Sequence, residues 1–460
     1  MAGIMGLISE KEFSDNSFHS FNNRRQTFWN YPEGAATLSY LLSLMDSEPT
    51  DTPLNFGWEE IRYAYIRTQT AGGDGPFSAS GSDTAASSPM TITQDTEYRV
   101  EVDDTSNFQV NDSIIFVDMV INGTTNLTTI RGVVSSIVSS TKLEFRALHT
   151  VTNVVNTLAS TVDKNVAKIG SAYAEGSTSG QGRMLVPVEP TNNTQIFKDP
   201  VEFTGSALKI PTDFDKTGAY KTKAKTTALD HVIGQEMALL FGKKHTFNSA
   251  LAAGGSFGGA TTPTRTMGGI LHFLEEWEAT GGGAAGYRPG GAALTADTAD
   301  DKRIIENSTG TMTSEKWDEY TERVFRKANT QSREKICLVG NGAAKAINQL
   351  IKREIVREIP ATDRGDTWRM RVKSVETSWG TLHFKTHPLL TDTPGLFYAM
   401  FIIDVPFLKY RPLNDRDMVK LNNRQSNDED GRKDLWLTEA GLELQFPEAH
   451  MLIKNVQKIV

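Results

Sequence analysis

The feature that most constrains the fold is a run of short β-type pieces, 97–172, lying between two Gly/Ser-rich stretches. Tyr98, Val100 and Val102 alternate with polar residues, and 114–117, 130–134 and 143–145 are further short apolar runs split by polar turns. Such spacing points to a small all-β domain. The flanks, 70–89 and 175–182, are linkers by composition. Outside them lie two strand-like pieces, 55–67 and 183–188. A β-domain with flexible flanks, framed by two strands, reads as an insertion at the tip of a long hairpin.

The strongest helical signal follows, over 217–241. Leu229, Val232, Ile233, Met237, Leu240 and Phe241 trace one helical face, and Gly242 suits the stop. A helix of about 25 residues is nearly 40 Å long, which suits a structural spine. Shorter helices are predicted over 34–45, 270–277, 314–329 (capped by Ser314) and 342–356. Strands are predicted over 335–339, 372–377, 381–386, 396–404 and 435–446, the last with a turn at 439–441. The strand–helix succession at 335–356 is of α/β type.

Composition narrows the function. The 460 residues are 38% hydrophobic and 23% charged, enough for two or three domains with a sizeable core. The formal charge of −8 is not that of a strongly basic nucleic-acid binder. The single cysteine, Cys337, excludes an internal disulfide and a thiolate zinc cluster, and suits a cytosolic origin. The first 13 residues lack the basic and apolar regions of a signal peptide, and no apolar run reaches the length of a membrane span. Sequons at Asn122, Asn126 and Asn192 mean little in a chain that is not exported.

The first 35 residues are polar yet carry Phe13, Phe18, Phe21, Phe28, Trp29 and Tyr31 without a period. Disordered tails are usually poor in aromatics, so this reads as an extended arm whose aromatics need a surface; the alternative is a frayed terminus.

Chemical motifs are absent. There is no Walker-type phosphate loop, no His-Glu-x-x-His and no Gly-x-Ser-x-Gly elbow. His383 and His387 lie four apart, on a strand running into Pro388, and are expected at the surface or at a hinge. Cys337 is expected as inert core. Asp103 and Asp104 are expected to be solvated. Lys352, Arg353, Arg357, Arg364, Arg369, Arg371 and Lys373 form either a solvated face or a contact to an acidic neighbour or nucleic acid. The 427–433 loop, acidic then basic, suits either pairing between symmetry mates or an isolated surface loop. No catalytic, cofactor-binding or metal-binding residues are assigned.

The order of elements is arm, hairpin with insert, spine helix, α/β unit and closing strands. This order resembles the Hong Kong 97-type fold of tailed-phage major capsid proteins, in the branch with an inserted β-domain. The local wording over 191–242 carries it: Thr194-Gln195-Ile196-Phe197, Val201, Thr204-Gly205, then Leu229, Gln235-Glu236 and 239–242. Thr266-Met267-Gly268-Gly269-Ile270 and Ser378-Trp379-Gly380 are similar to family wording as well.

The resemblance implies an α+β chain divided into an arm and short helix (1–52), an extended loop (53–201) holding the β-insertion (97–172), a peripheral domain with the spine helix (202–261), an axial domain (262–371) and closing strands of both (372–460). It implies a homo-oligomer of pentamers and hexamers forming the icosahedral head around double-stranded DNA. The virion would be its location, after assembly in the host cytoplasm. Implied partners are a separate scaffolding protein, a portal, an optional decoration protein, and DNA held without sequence specificity on the inner face; no membrane is implied. The candidate inter-subunit contacts are Phe28, Trp29 and Tyr31 on the arm, and Trp58, Arg62, Tyr65 and Arg67 on the loop. No lysine–asparagine cross-link pair is matched. The competing readings are another phage or surface structural protein (a tail tube or an adhesin with a β-module) and a hydrolase; no convincing carboxylate pair supports the latter.

Overall fold

The computed structural model describes residues 38–39, 42, 47–52, 55–61, 67–69, 77–82, 90–102, 105–120, 127–154, 165–178, 180–182, 187–210, 219–247, 264–279, 302–307, 310–326, 333–354 and 373–457. The fold is α+β.

The base of the hairpin is visible as backbone pairing. Strand β1 (Phe56–Gly57) runs antiparallel to a later strand, Thr191–Asn192, and an isolated bridge joins Glu60 to Val188. Between these legs, among the described residues, lie nine strands: β2 (Arg67–Gln69), β3 (Phe77–Ala79), β4 (Met90–Ile92), β5 (Glu97–Glu101), β6 (Asp112–Val120), β7 (Leu127–Ser139), β8 (Lys142–Ala147), β9 (Val151–Val154) and β10 (Asn165–Ser171). Seven form one antiparallel sheet, in the order β2-β10-β6-β7-β8-β5-β3, and β4 pairs β9. Alternation drives it: Ile114 and Phe116, Leu143 and Phe145 point to one fully buried face. Phe77, Phe116 and Phe145 form its centre, with ring centroids 4.8–6.0 Å apart. The sheet also takes in strands upstream of residue 97. The 70–89 stretch contains β3, because buried Phe77 supplies an apolar anchor amid the small polar residues.

The chain then passes through β11 (Thr191–Asn192) into β12 (Gln195–Thr204), a short helix α1 (Gly205–Lys209) and the spine helix α2 (Ala219–Phe241), which stops at Gly242. Hairpin strands β13 (His245–Phe247) and β14 (Thr264–Thr266) precede helix α3 (Ile270–Glu278). Strand β15 (Ile304–Glu306), helix α4 (Ser314–Arg326), strand β16 (Glu334–Val339) and helix α5 (Asn341–Glu354) follow. The tail supplies β17 (Lys373–Glu376), β18 (Thr381–Thr386), helix α6 (Pro388–Asp392), β19 (Met400–Ile403), β20 (Leu408–Pro412), β21 (Val419–Leu421), β22 (Gly431–Leu444) and β23 (Met451–Lys454). The helix starting at Ser314 is capped by Thr313, whose Oγ1 accepts the Lys316 N–H at 3.3 Å.

Two sheets organise this part. One has the order β15-β23-β19-β16-β18-β17, and its central strands β23, β19 and β16 are buried on both faces. Ile336, Leu338, Phe401, Ile403 and Leu452 face one core with α3 and the end of α2. Cys337, Val339, Met400, Ile402, Met451 and Ile453 face a second core with α4 and α5. The two-residue period assigns each residue to its side. The second sheet, β12-β22-β20 with β21 beside β22, carries α2 across it.

Two expectations are corrected here. Strand β22 runs straight through Glu439–Gly441 without a turn. Gly441 serves close approach instead: a Cβ there would lie 2.5 Å from the Phe56 ring and 2.9 Å from the Asn193 carbonyl oxygen. The buried face of α2 is the second. It carries Thr227, His231, Gln235, Glu236, Leu239 and Leu240, while Leu229, Val232, Ile233, Met237 and Phe241 are only half-buried. The helix turns its polar stripe inward because polar groups of β12 and β22 and the incoming chain at residue 38 await it there.

Candidate assembly surfaces

The inward stripe of α2 ties three distant parts of the chain together. Glu236, fully buried, accepts the Leu38 N–H at 2.7 Å, the Ser39 N–H at 2.7 Å and the Ser39 hydroxyl at 2.6 Å. Leu38 and Ser39 are helical. The Glu236 carboxylate also meets His387 Nε2 at 2.8 Å, next to the start of α6. A buried carboxylate with four polar partners is compensated, and Leu38 and Leu42 sink into the adjoining core. The incoming chain is thereby fixed to the spine.

One and a half turns earlier, His231 bridges the sheet below: Nδ1 meets Asp199 Oδ2 at 2.5 Å on β12, and Nε2 meets Thr438 Oγ1 at 2.9 Å on β22. At the helix start the Tyr220 hydroxyl donates to Asp434, which also pairs with Arg432 at 3.0 Å. Glu439, where a turn had been expected, receives Arg265 at 2.7 Å, Arg416 at 2.8 Å and the Thr194 hydroxyl at 3.1 Å. These contacts hold β22 straight and leave Leu229, Val232, Ile233 and Met237 of α2 half-buried, while Leu239, Leu240 and Phe241 pack into the core of the same chain. Leu229, Ile233 and Met237 are spaced four apart, so they form one short ridge along the helix.

Other apolar side chains face solvent. Ile196 on β12 and Phe247 on β13 are exposed, as are Ile137, Val138 and Ile169 on the β-module. The last two follow from register shifts: β7 breaks step between Ile137 and Ser139, and β10 between Lys168 and Gly170. The extra residue in each turns an apolar side chain outward. Scattered exposed apolar residues are ordinary, and the half-buried Leu229, Ile233 and Met237 add a short apolar ridge on α2.

Buried ionisable groups in the cores are structural. Lys335 and Asp404 pair at 3.2 Å, and Lys335 Nζ donates to the Ala449 carbonyl at 2.5 Å. Burial pushes the Lys335 pKa down and the Asp404 pKa up, each toward its neutral form, while their mutual attraction opposes both. Burial, helped by Lys335, pushes His450 down to about 3, and burial with Lys244 and Lys243 pushes His272 down to about 4. Both are neutral near pH 7. Cys337 is fully buried and its thiol is held far above its ordinary range by desolvation, consistent with inert core.

The sequence-predicted contacts distribute unevenly. Phe28, Trp29, Tyr31, Arg62 and Tyr65 lie outside the described residues, as do Asp103 and Asp104. Arg67 lies in β2, its side chain outside the description. Trp58 is 8% exposed and packs within its own chain against Phe273, 5.9 Å between ring centroids, while its indole N–H donates to Glu60 at 2.7 Å. His383 and His387, expected at the surface or at a hinge, are both buried: His383 Nδ1 meets the Ser374 hydroxyl at 2.8 Å, and His387 meets Glu236. The strand and helix-start positions they occupy point inward. Asn192, part of a sequon, is buried and donates to the Gly268 and Leu442 carbonyls. Sequence reasoning missed Glu236; its only local signal was a charged residue inside an otherwise apolar stretch.

Among the described residues no group of three or more His, Cys, Asp or Glu is placed to hold a metal ion, and no helix is long and apolar enough to cross a membrane.

No curated protein matches the chain. Among solved structures, the capsid asymmetric unit of cyanophage A-1(L) is 12% identical, with a TM-score of 0.38 over 63% of this chain and 85% of that one. The structure of Mycobacterium phage Patience is 11% identical, with a TM-score of 0.38 over 64% and 76%. The holo-SrpI encapsulin complex from Synechococcus elongatus PCC 7942 is 9% identical, with a TM-score of 0.34 over 59% and 78%. In contrast to these distant likenesses, the family model described as SU10 major capsid protein matches residues 44–457, nearly the whole described chain, and the protein belongs to that family.

Proposed function

We propose that the chain is the shell subunit of a tailed-phage head, assembling as pentamers and hexamers into an icosahedral container for double-stranded DNA. Membership in a major capsid protein family carries this reading. The geometry supports it: a spine helix bound to its own sheet through polar groups leaves the half-buried ridge Leu229–Ile233–Met237 for contacts outside the chain. Weak contacts repeated around closed symmetry add up to a strong shell. The function lies in these contacts, without a catalytic step. Membership in a capsid family disfavours a tail tube or adhesin.

The finer parts of the proposal are partners and placement. The hairpin would lie over a neighbouring subunit and the N-terminal arm would latch another. The β-module would face outward, where it could clamp capsomers or carry a decoration protein. A separate scaffolding protein and a portal would guide assembly in the host cytoplasm, and DNA would meet the inner face without sequence specificity. The overall charge of −8 fits weak DNA contact. Electron micrographs of the expressed protein, alone and with the scaffolding protein of its phage, test the reading. Closed shells are expected; a stable monomer under every assembly condition, or tubes, would overturn it.

A further inference from the structure

Two surfaces carry charge and apolar area that nothing among the described residues uses. The first is the outer face of the ribbon at the hairpin base. Glu60 and Val188 exchange backbone hydrogen bonds of 2.8 and 2.9 Å, and the Trp58 N–H donates to the Pro190 carbonyl. In that register Glu59 lies directly opposite Glu189, between hydrogen-bonded positions, where facing side chains come closest. Both glutamates are exposed, and neither has an ion-pair partner among the described residues. Like charges directly opposite each other destabilise a ribbon, so a cation brought between them would be held. Ile61, two residues from Glu59 along the same face, is 56% exposed.

The second surface is α1, which buries none of its own residues. It leads into Leu208-Lys209-Ile210, where Leu208 is 39% and Ile210 66% exposed. Lys209 is exposed between them, without an ion pair among the described residues. A helix this short does not hold itself together. Its lysine flanked by two aliphatic side chains is the complement of two carboxylates beside an isoleucine.

We infer that Leu208-Lys209-Ile210 of one copy of this chain docks on the Glu59–Glu189 ribbon of a second copy. The ammonium sits between the two carboxylates, and the flanking aliphatic side chains cover Ile61. The two surfaces stand at opposite ends of one sheet. The ribbon meets the end of β22 near Phe446, whose N–H donates to Glu60, and α1 leaves the other end at Gly205, whose N–H donates to the Asp430 carbonyl. Strand β22 has 14 residues between those ends. At 3.3 Å per residue it is roughly 46 Å long, so the surfaces meet only between copies. Such a head-to-tail contact is of the kind that repeats around a ring. It deepens the shell reading by naming one subunit contact, and rests on that reading for the presence of neighbours.

The test uses the full chain under assembly conditions, with half of the molecules labelled with heavy nitrogen. A water-soluble carbodiimide joins a lysine amine to a touching carboxylate as an amide and takes up the water released. Mass spectrometry is expected to find Lys209 joined to Glu59 or Glu189, with mixed-label pairs as abundant as same-label pairs. Lys209→Glu, at an exposed position, should raise the subunit concentration needed for assembly about fivefold, and adding Glu59→Lys with Glu189→Lys should restore it. Same-label links alone, Lys209 linked only to other carboxylates, or a charge reversal without effect would overturn the proposal. Micrographs of the same sample separate the two ideas. Shells without the link remove this contact and leave the shell reading standing; mixed-label links in a protein that never forms shells do the reverse. A protein that stays monomeric without mixed-label links removes both.

Discussion

Glu236 on the spine helix and His387 at the start of α6 lie 151 residues apart in sequence and 2.8 Å apart in space, with neither side chain exposed. The same carboxylate holds the backbone at Leu38 and Ser39. One buried group therefore joins the incoming chain, the spine and the closing sheet.

Glu236→Ala should strand the Leu38 and Ser39 N–H groups and His387 without their acceptor. A loss of about 3–5 kcal/mol is expected, since each buried donor left without its acceptor costs about 1–3 kcal/mol. Urea unfolding of the unassembled subunit measures it, and faster proteolysis near residue 38 should accompany it. A loss under 1 kcal/mol would mean that the carboxylate is dispensable.

Lys335→Met should be costly because it leaves Asp404 buried without its cation, again about 3–5 kcal/mol. The double variant with Asp404→Asn should recover much of that loss, since no uncompensated charge remains. Equal destabilisation in single and double variants would show that Lys335 acts through packing alone.

Acid should weaken the fold through His450 and His272. Each has a folded pKa far below its ordinary value, about 3 and about 4. Between pH 6.5 and those values the unfolded chain binds protons that the folded chain does not. Stability is therefore fully present above pH 6.5 and is lost as pH falls, by about 1.4 kcal/mol per pH unit for each histidine. Urea midpoints of the unassembled subunit at pH 7 and pH 4.5 check this; a flat profile would refute it.

Gly441→Ala should destabilise by about 1–3 kcal/mol, because the added methyl meets both the Phe56 ring and the Asn193 carbonyl oxygen. Phe56→Leu in the same chain should relieve only the ring contact. A neutral Gly441→Ala in thermal melts would restore the reading of this glycine as a turn residue.

Ile233→Lys on the outward ridge should leave the subunit folded, with stability within about 1 kcal/mol, because the position is only half-buried. Shell formation should be strongly reduced in micrographs. Unchanged shells would remove this ridge from the assembly surface.

The sequence by itself determined some of the elements, while strands such as β12, β20 and β23 are not read from it. The β-runs at 114–117 and 143–145, the 335–339 strand and the spine helix with its stop at Gly242 are all present, because a two- or 3.6-residue period is a local property of the chain. It determined, too, that Cys337 would be inert core. Tertiary structure decided the rest. Periodicity shows that α2 has an apolar face, but which residues are buried depends on what approaches: Asp199, Thr438 and the backbone at Leu38 drew His231 and Glu236 inward, and of the predicted face only Leu240 is fully buried. A glycine signals a turn and a close approach equally well, and only the Phe56 ring against Gly441 separates them. Glu236 and His387 carry no local mark of each other, since their pairing exists only once chain segments 151 residues apart are brought together.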